Sequence, residues 1–197
     1  MPLSPPAARN LLHLRDIQLR GWQREDGLFD IEAHLVDTKS TTFENDSRGV
    51  MQPGDPLHGL WLRLTLREDM EVVACEASSD HTPYAQCPGA APNFSRLAGL
   101  RIGPGFNRAA NERVGGIAGC THLREMLGQM ATVAYQTLYP IRARKEREAL
   151  ARDQAEGKPA APRQRPALLG SCIAYAPDSP VSLARWPWLA EPADAAE

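Results

Sequence analysis

Two stretches of this chain alternate apolar and polar residues with a period of two, and that pattern constrains the fold more than any other feature. Phe29, Ile31, Ala33 and Leu35 interleave with Asp30, Glu32 and His34, while Leu60, Leu62, Leu64 and Leu66 interleave with Trp61, Arg63 and Thr65. Successive strand side chains point to opposite faces, so each stretch reads as a half-buried strand. Arg67-Glu68-Asp69 supplies a turn, and Met70 to Ala77 continues as a further strand through Val72, Val73 and Cys75. Leu12, Leu14, Ile17 and Leu19 give a less regular strand from His13. The expectation is an antiparallel meander, with a polar loop that follows Asp37, runs through Asn45, Asp46 and Gly49 and closes at Pro53-Gly54-Asp55-Pro56.

Beyond Pro92 the apolar spacing lengthens. Asn93 caps a short predicted helix through Leu97, and Gly103-Pro104-Gly105 precedes another over Phe106 to Val114, stopped by Gly115-Gly116. From Thr121, Leu123, Met126, Leu127, Met130, Ala131, Ala134 and Leu138 recur three and four apart, the pattern of an amphipathic helix that Pro140 ends or perturbs. The fold class expected is α+β, an antiparallel sheet followed by packed helices. The predicted organisation is a flexible N-terminal arm over 1–12, an α+β metal-site domain over 13–140, a basic charged helix and linker over 141–165, and a C-terminal aromatic strap over 166–197. The basic segment carries eight Lys/Arg against four Asp/Glu and ends in Lys158-Pro159-Ala160-Ala161-Pro162; the strap holds Cys172, Tyr175, Trp186 and Trp188.

A chain of 197 residues can bury one substantial core. With 24 acidic against 22 basic side chains the formal charge is -2, so no whole-chain field recruits nucleic acid or anionic lipid. Four scattered cysteines and no leader-like N-terminus point to a reducing cytoplasm. No window is apolar enough for a membrane span, so a soluble protein is expected. The partner classes left are a small molecule or a protein, with no specific nucleic acid, no membrane, and oligomerisation open.

Chemistry concentrates where glycines meet a predicted helix start, in Gly115-Gly116-Ile117-Ala118-Gly119-Cys120-Thr121-His122-Leu123. Cys87 precedes a proline-led turn and His58 stands at a strand entry. Thiolates and neutral imidazoles are ligands for zinc and iron, so His58, Cys87, Cys120 and His122 form a candidate metal set. Residues two apart on a helix do not share a face, which keeps Cys120 in the preceding loop or capping position if both it and His122 ligate. Cys75 reads as a buried small hydrophobe. Glu32 and His34 share the polar face of their strand and are candidate proton-handling groups, and Glu125 can reach the side of His122 as an outer acceptor or be an ordinary surface residue.

Arg20-Gly21-Trp22, Asp26-Gly27, Asp30-Ile31-Glu32-Ala33-His34-Leu35 and Asp37-Thr38-Lys39 resemble a bacterial family of unknown function, DUF2889. Pro56-Leu57-His58, Trp61-Leu62-Arg63, Cys87-Pro88, Gly99-Leu100 and the segment from Gly115 to Leu123 extend the likeness across residues 13 to 138. A more distant resemblance is to the iron–sulfur cluster assembly scaffolds, in which cysteines from separate loops hold a metal or cluster. It implies a scaffold-like fold with His58, Cys87 and Cys120 at the three ligand places. The Cys-Gly-Asp pattern of those scaffolds is absent and His122 follows Cys120 instead of preceding a cysteine, which favours one zinc or iron ion over a cluster.

Three functions remain open on these residues. The first is a metal-binding protein, possible as a metal-dependent enzyme on a small molecule, with Cys120, His122, Glu32 and His34 as catalytic candidates. The second is a metal-free enzyme with Cys120 as nucleophile and His122 or His34 as base. The third is a non-enzymatic, metal-stabilised module that binds another protein through its basic extension or tryptophan tail.

Overall fold

The computed structural model describes residues 3–158, 165–166 and 168–190. Its main sheet has four antiparallel strands in the order β1-β2-β5-β6: β1 His13–Gln23, β2 Phe29–Lys39, β5 Pro56–Leu66 and β6 Val72–His81. The period-two pattern decides the register. Phe29 pairs with Leu66, Ile31 with Leu64, Ala33 with Leu62 and Leu35 with Leu60, so both apolar ladders lie on one face and are buried.

The loop expected between Asp37 and Pro56 contains a small hairpin, β3 Phe43–Asn45 and β4 Gly49–Met51. Its turn forms because the Asn45 Oδ1 accepts from the Ser47 and Arg48 N–H groups and Gly49 takes a positive φ of 71°. Met51 is buried, an apolar anchor that a purely polar reading of the loop overlooks.

After β6 a 3-10 segment runs from Cys87 to Leu97, starting well before the predicted Asn93 cap, with Pro88 in its first turn and Ala91, Phe94 and Leu97 buried. The helix α1 covers Phe106–Val114, as the sequence indicates. The long helix α2 covers Thr121–Ala155 and continues through Pro140, an exposed position at which the helix lacks one N–H donor. Leu123, Met126, Leu127, Met130, Ala134 and Leu138 form its buried stripe and join the strand leucines in one core. Where α2 meets β1 the sequence supplies Gly21: a Cβ there would lie 1.9 Å from the Thr137 Oγ1.

The chain divides into two compact units, Met1–Arg147 and Glu148–Glu197. Within the second, the Ser179 hydroxyl caps α3 (Pro180–Arg185) by accepting from the Ser182 N–H at 3.0 Å, and the Tyr175 and Trp186 rings lie 5.7 Å apart. The Pro159–Pro162 part of the expected linker lies outside the described residues. No helix among the described residues is long and apolar enough to cross a membrane.

Candidate functional site

The core face of the sheet turns polar at one end. Continuing β2 by two residues past Leu35 gives Asp37, and continuing β5 backward by two past Leu60 gives His58; the register sets them opposite each other. Arg15 of β1 pairs with Asp37 on its other side. Asp37 and His58 are 1% and 9% exposed. A buried ion pair at best breaks even against apolar side chains of similar size, so core stability alone does not account for these residue types.

Asp37 accepts from Arg15 Nε at 2.7 Å and Nη2 at 2.8 Å, from His58 Nδ1 at 2.9 Å, and approaches His13 Nε2 at 3.2 Å. Burial pushes its carboxyl up, but the Arg15 hydrogen bonds and charge, aided by His58, outweigh burial and hold it below the ordinary aspartate range. Arg15 also donates to Glu125 of α2 at 3.1 Å, which ties the first turns of the helix to the sheet. Glu125 thus serves Arg15, and no contact joins it to His122 among the described hydrogen bonds.

The first residues of α2 bring the second half of the site. Gly119 stands where a Cβ would lie 1.9 Å from the Val114 carbonyl oxygen, so the chain turns sharply between α1 and α2. Cys120 then opens α2, its carbonyl accepting from the Arg124 N–H at 3.0 Å. Cys120 Sγ lies 3.9 Å from His122 Nδ1, and the His122 and His58 ring centroids are 4.0 Å apart. Burial pushes the Cys120 thiol up, yet its hydrogen bond with His122 and the Leu123 and His122 backbone N–H groups bring it below its ordinary value. The Cys120 contact raises His122 in turn. Burial and the neighbouring His122 lower His58, which favours its neutral ring.

His58, Cys87, Cys120 and His122 all line one pocket of about 510 Å³, with Cys87 entering from the start of the 3-10 segment. That segment is tied to the glycine-rich loop by Asn93 Nδ2, which donates to the Ala118 carbonyl at 2.9 Å. Among the described residues the ligand-type group with all donor atoms within 4.8 Å of one another is Asp37, His58 and His122. Neither cysteine belongs to it. Sequence reasoning missed Asp37; the signal available was that an aspartate extends the inward-facing series 29, 31, 33, 35 on β2.

Glu32 and His34 occupy the opposite face of the sheet. Glu32 accepts from Arg63 Nε at 2.8 Å, and His34 stacks on Trp61 with centroids 3.7 Å apart and planes 8° from parallel. Strand alternation that buries Ala33 and Leu35 necessarily directs both away from His58. All four cysteines are free: Cys75 buried, Cys87 and Cys120 partly buried, Cys172 exposed.

No curated protein and no solved structure matches the chain. A family model described as a protein of unknown function, DUF2889, matches residues 13–136, a span that runs from the first residue of β1 into α2 as far as the buried Ala134 and includes every residue of the site. The chain belongs to the DUF2889 family.

Proposed function

We propose that the chain is a metal-binding protein in which His58, His122 and Asp37 hold one zinc or iron ion, and that the ion acts on a small organic molecule in the adjoining pocket. The observation that carries this reading is the mutual approach of the three donors within 4.8 Å, two of them in the pocket wall. Two donors each about 2.1 Å from an ion and at roughly right angles to each other are about 3 Å apart. Asp37 Oδ2 and His58 Nδ1 are 2.9 Å apart, so an ion that displaces their shared proton can reach both atoms from beside the line that joins them. Arg15 keeps the carboxylate aimed and ionised, and the neutral form of His58 is the one that ligates.

Two histidines and one carboxylate leave further coordination positions for water or substrate, the arrangement used for Lewis-acid and iron chemistry. Cys87 and Cys120 stand in the same wall, and the resemblance in order to iron–sulfur scaffolds supports a share for them in ligation. A cluster is the less favoured occupant, because the grouped donors are nitrogen and oxygen. Free thiols suit the reducing cytoplasm we infer for the chain.

Elemental analysis of protein purified without an affinity tag tests the reading. The expected result is about one equivalent of zinc or iron, lost in His58→Ala and His122→Ala and weakened about 10- to 100-fold in Asp37→Asn. Retention in Asp37→Asn together with loss in Cys87→Ala or Cys120→Ala would transfer the third place to sulfur. Metal content unchanged by both histidine variants would overturn it.

A second reading rests on a separate contact, the 3.9 Å approach of Cys120 Sγ to His122 Nδ1 at the first turn of a 35-residue helix. There Cys120 is a nucleophile and His122 its base, without metal. Alkylation by iodoacetamide of metal-free protein decides it: rapid labelling of Cys120 that slows in His122→Phe supports the nucleophile, and labelling no faster than that of exposed Cys172 removes it.

A further inference from the structure

The pocket extends far beyond what an ion requires. Its volume of about 510 Å³ is more than ten times the ~30 Å³ share of a water molecule and falls in the ~300–1,000 Å³ range of small-molecule sites. Its composition away from the ligand-type residues is selective. Leu60, Pro83, Ala90 and Ile117 supply apolar wall, and Ser79, Thr82, Gln86 and Asn93 supply neutral polar groups, while no lysine, arginine, aspartate or glutamate occurs among its described lining residues. Part of that polarity is already committed, since the Thr82 hydroxyl donates to the Tyr84 carbonyl at 3.1 Å and Asn93 Nδ2 to Ala118.

Two lining side chains also stand in water. Ile117 is fully exposed and Tyr84 is 50% exposed. Ile117 is held there by a short 3-10 turn, Gly116–Ala118, between Gly116 at a φ of +57° and Gly119. An apolar side chain kept in water beside a cavity gains cover when an apolar body enters, and an aromatic ring with one face open offers a stacking surface.

We propose that this pocket binds a neutral organic molecule with a flat apolar body, seated against Tyr84 and Ile117, with one polar end directed at His58, His122 and Cys120. Without a lysine, arginine, aspartate or glutamate among the described wall residues, a charge on the ligand body has no partner there and is costly to desolvate. The proposal deepens the metal reading, in which the polar end is the group presented to the ion. The preference for an uncharged body belongs to the walls and holds with or without metal.

The test uses two probes with the same head, 2-naphthamide and 4-sulfo-2-naphthamide, whose sulfonate sits on the ring near the amide. Binding to the full chain is followed by ligand-observed NMR and equilibrium dialysis, on metal-free and on zinc-loaded protein. The neutral probe is expected to bind at least about tenfold more tightly than the sulfonate in both forms. Tyr84→Ala is expected to weaken it about fivefold through lost stacking, and Ala90→Trp to abolish binding by filling the cavity, with circular dichroism confirming that each variant is folded. Equal or tighter binding of the sulfonate, no binding of either probe at millimolar concentration, or binding unchanged in both variants would overturn the proposal. If zinc leaves both affinities unchanged while the neutral preference persists, the metal reading loses support and the pocket assignment stands; if zinc tightens both probes without a neutral preference, the reverse holds.

Discussion

Asp37 and His58 face each other across the β2–β5 register at the point where two ladders of buried leucine, isoleucine and phenylalanine stop, with the carboxylate 2.9 Å from the imidazole. Because Arg15 grips the same carboxylate from β1, a single aspartate links three strands at the end of the sheet nearest the start of α2. Asp37→Asn keeps the shape but turns one acceptor into a donor aimed at Arg15 or His58. Breaking a buried pair in this way is expected to cost about 3 kcal/mol, measured as a lower urea midpoint at unchanged m-value. A loss below about 1 kcal/mol would mean that water replaces these contacts and the network does not organise the site.

The contact between α2 and β1 can be tested by a coupled pair. In Gly21→Ala the new Cβ would lie 1.9 Å from the Thr137 Oγ1 and 3.0 Å from its Cβ. Overpacking of this kind costs about 1–3 kcal/mol, and Thr137→Ala removes the nearest atom, so the double variant should recover more than half of the loss. Additive losses in the cycle would show that the helix is not seated there.

The sheet was legible because its strands are buried on one face only, so the sequence repeats the geometry residue by residue. Residues 106–114 and the start of α2 were legible for a related reason, with glycines marking the breaks and apolar spacing marking the face. Pro140 left the end of the helix open, because a proline removes one helical N–H donor and local sequence alone does not show whether the helix runs on past it. In the site, His58, Cys87, Cys120 and His122 were visible as residue types, since thiols and imidazoles stand out at element ends. Asp37 and Arg15 were not, because aspartate and arginine are common on strands and their meaning depends on cross-strand register. His34 illustrates the same limit from the other side: its residue type invites a role, but its parity on β2 sends it to the face with Trp61.

Two of the three glycines in the loop that delivers Cys120 have different reasons to be glycine. At Gly119 an added Cβ meets the Val114 backbone oxygen, which cannot swing aside, whereas at Gly116 there is open space and only the positive φ of 57°. Gly119→Ala is therefore expected to cost about 2–3 kcal/mol and to weaken zinc binding, by shifting Cys120 and His122 together. Gly116→Ala should cost about 1 kcal/mol and leave zinc affinity within twofold of the parent. Titration of zinc against a chromogenic chelator separates the two, and equal effects on affinity would mean that the loop does not position the ligands.

Cys75 gives a pH dependence that is independent of the site. It is 8% exposed on β6, opposite Leu64, and burial pushes its thiol up to about 12. An unfolded thiol loses its proton near pH 8.5, so below that value both states hold the proton and the contribution to stability is complete. Above it the unfolded chain ionises while the folded chain does not, unfolding releases a proton, and stability must fall as pH rises towards the folded value. The slope from this one group reaches at most about 1.4 kcal/mol per pH unit. Cys75→Ala removes the titration, so denaturation series between pH 8 and 10 should show the parent losing stability more steeply than the variant, even though the variant is the less stable of the two at pH 7. Parallel curves would show that the folded thiol ionises as readily as a free one, and that this part of the core admits water.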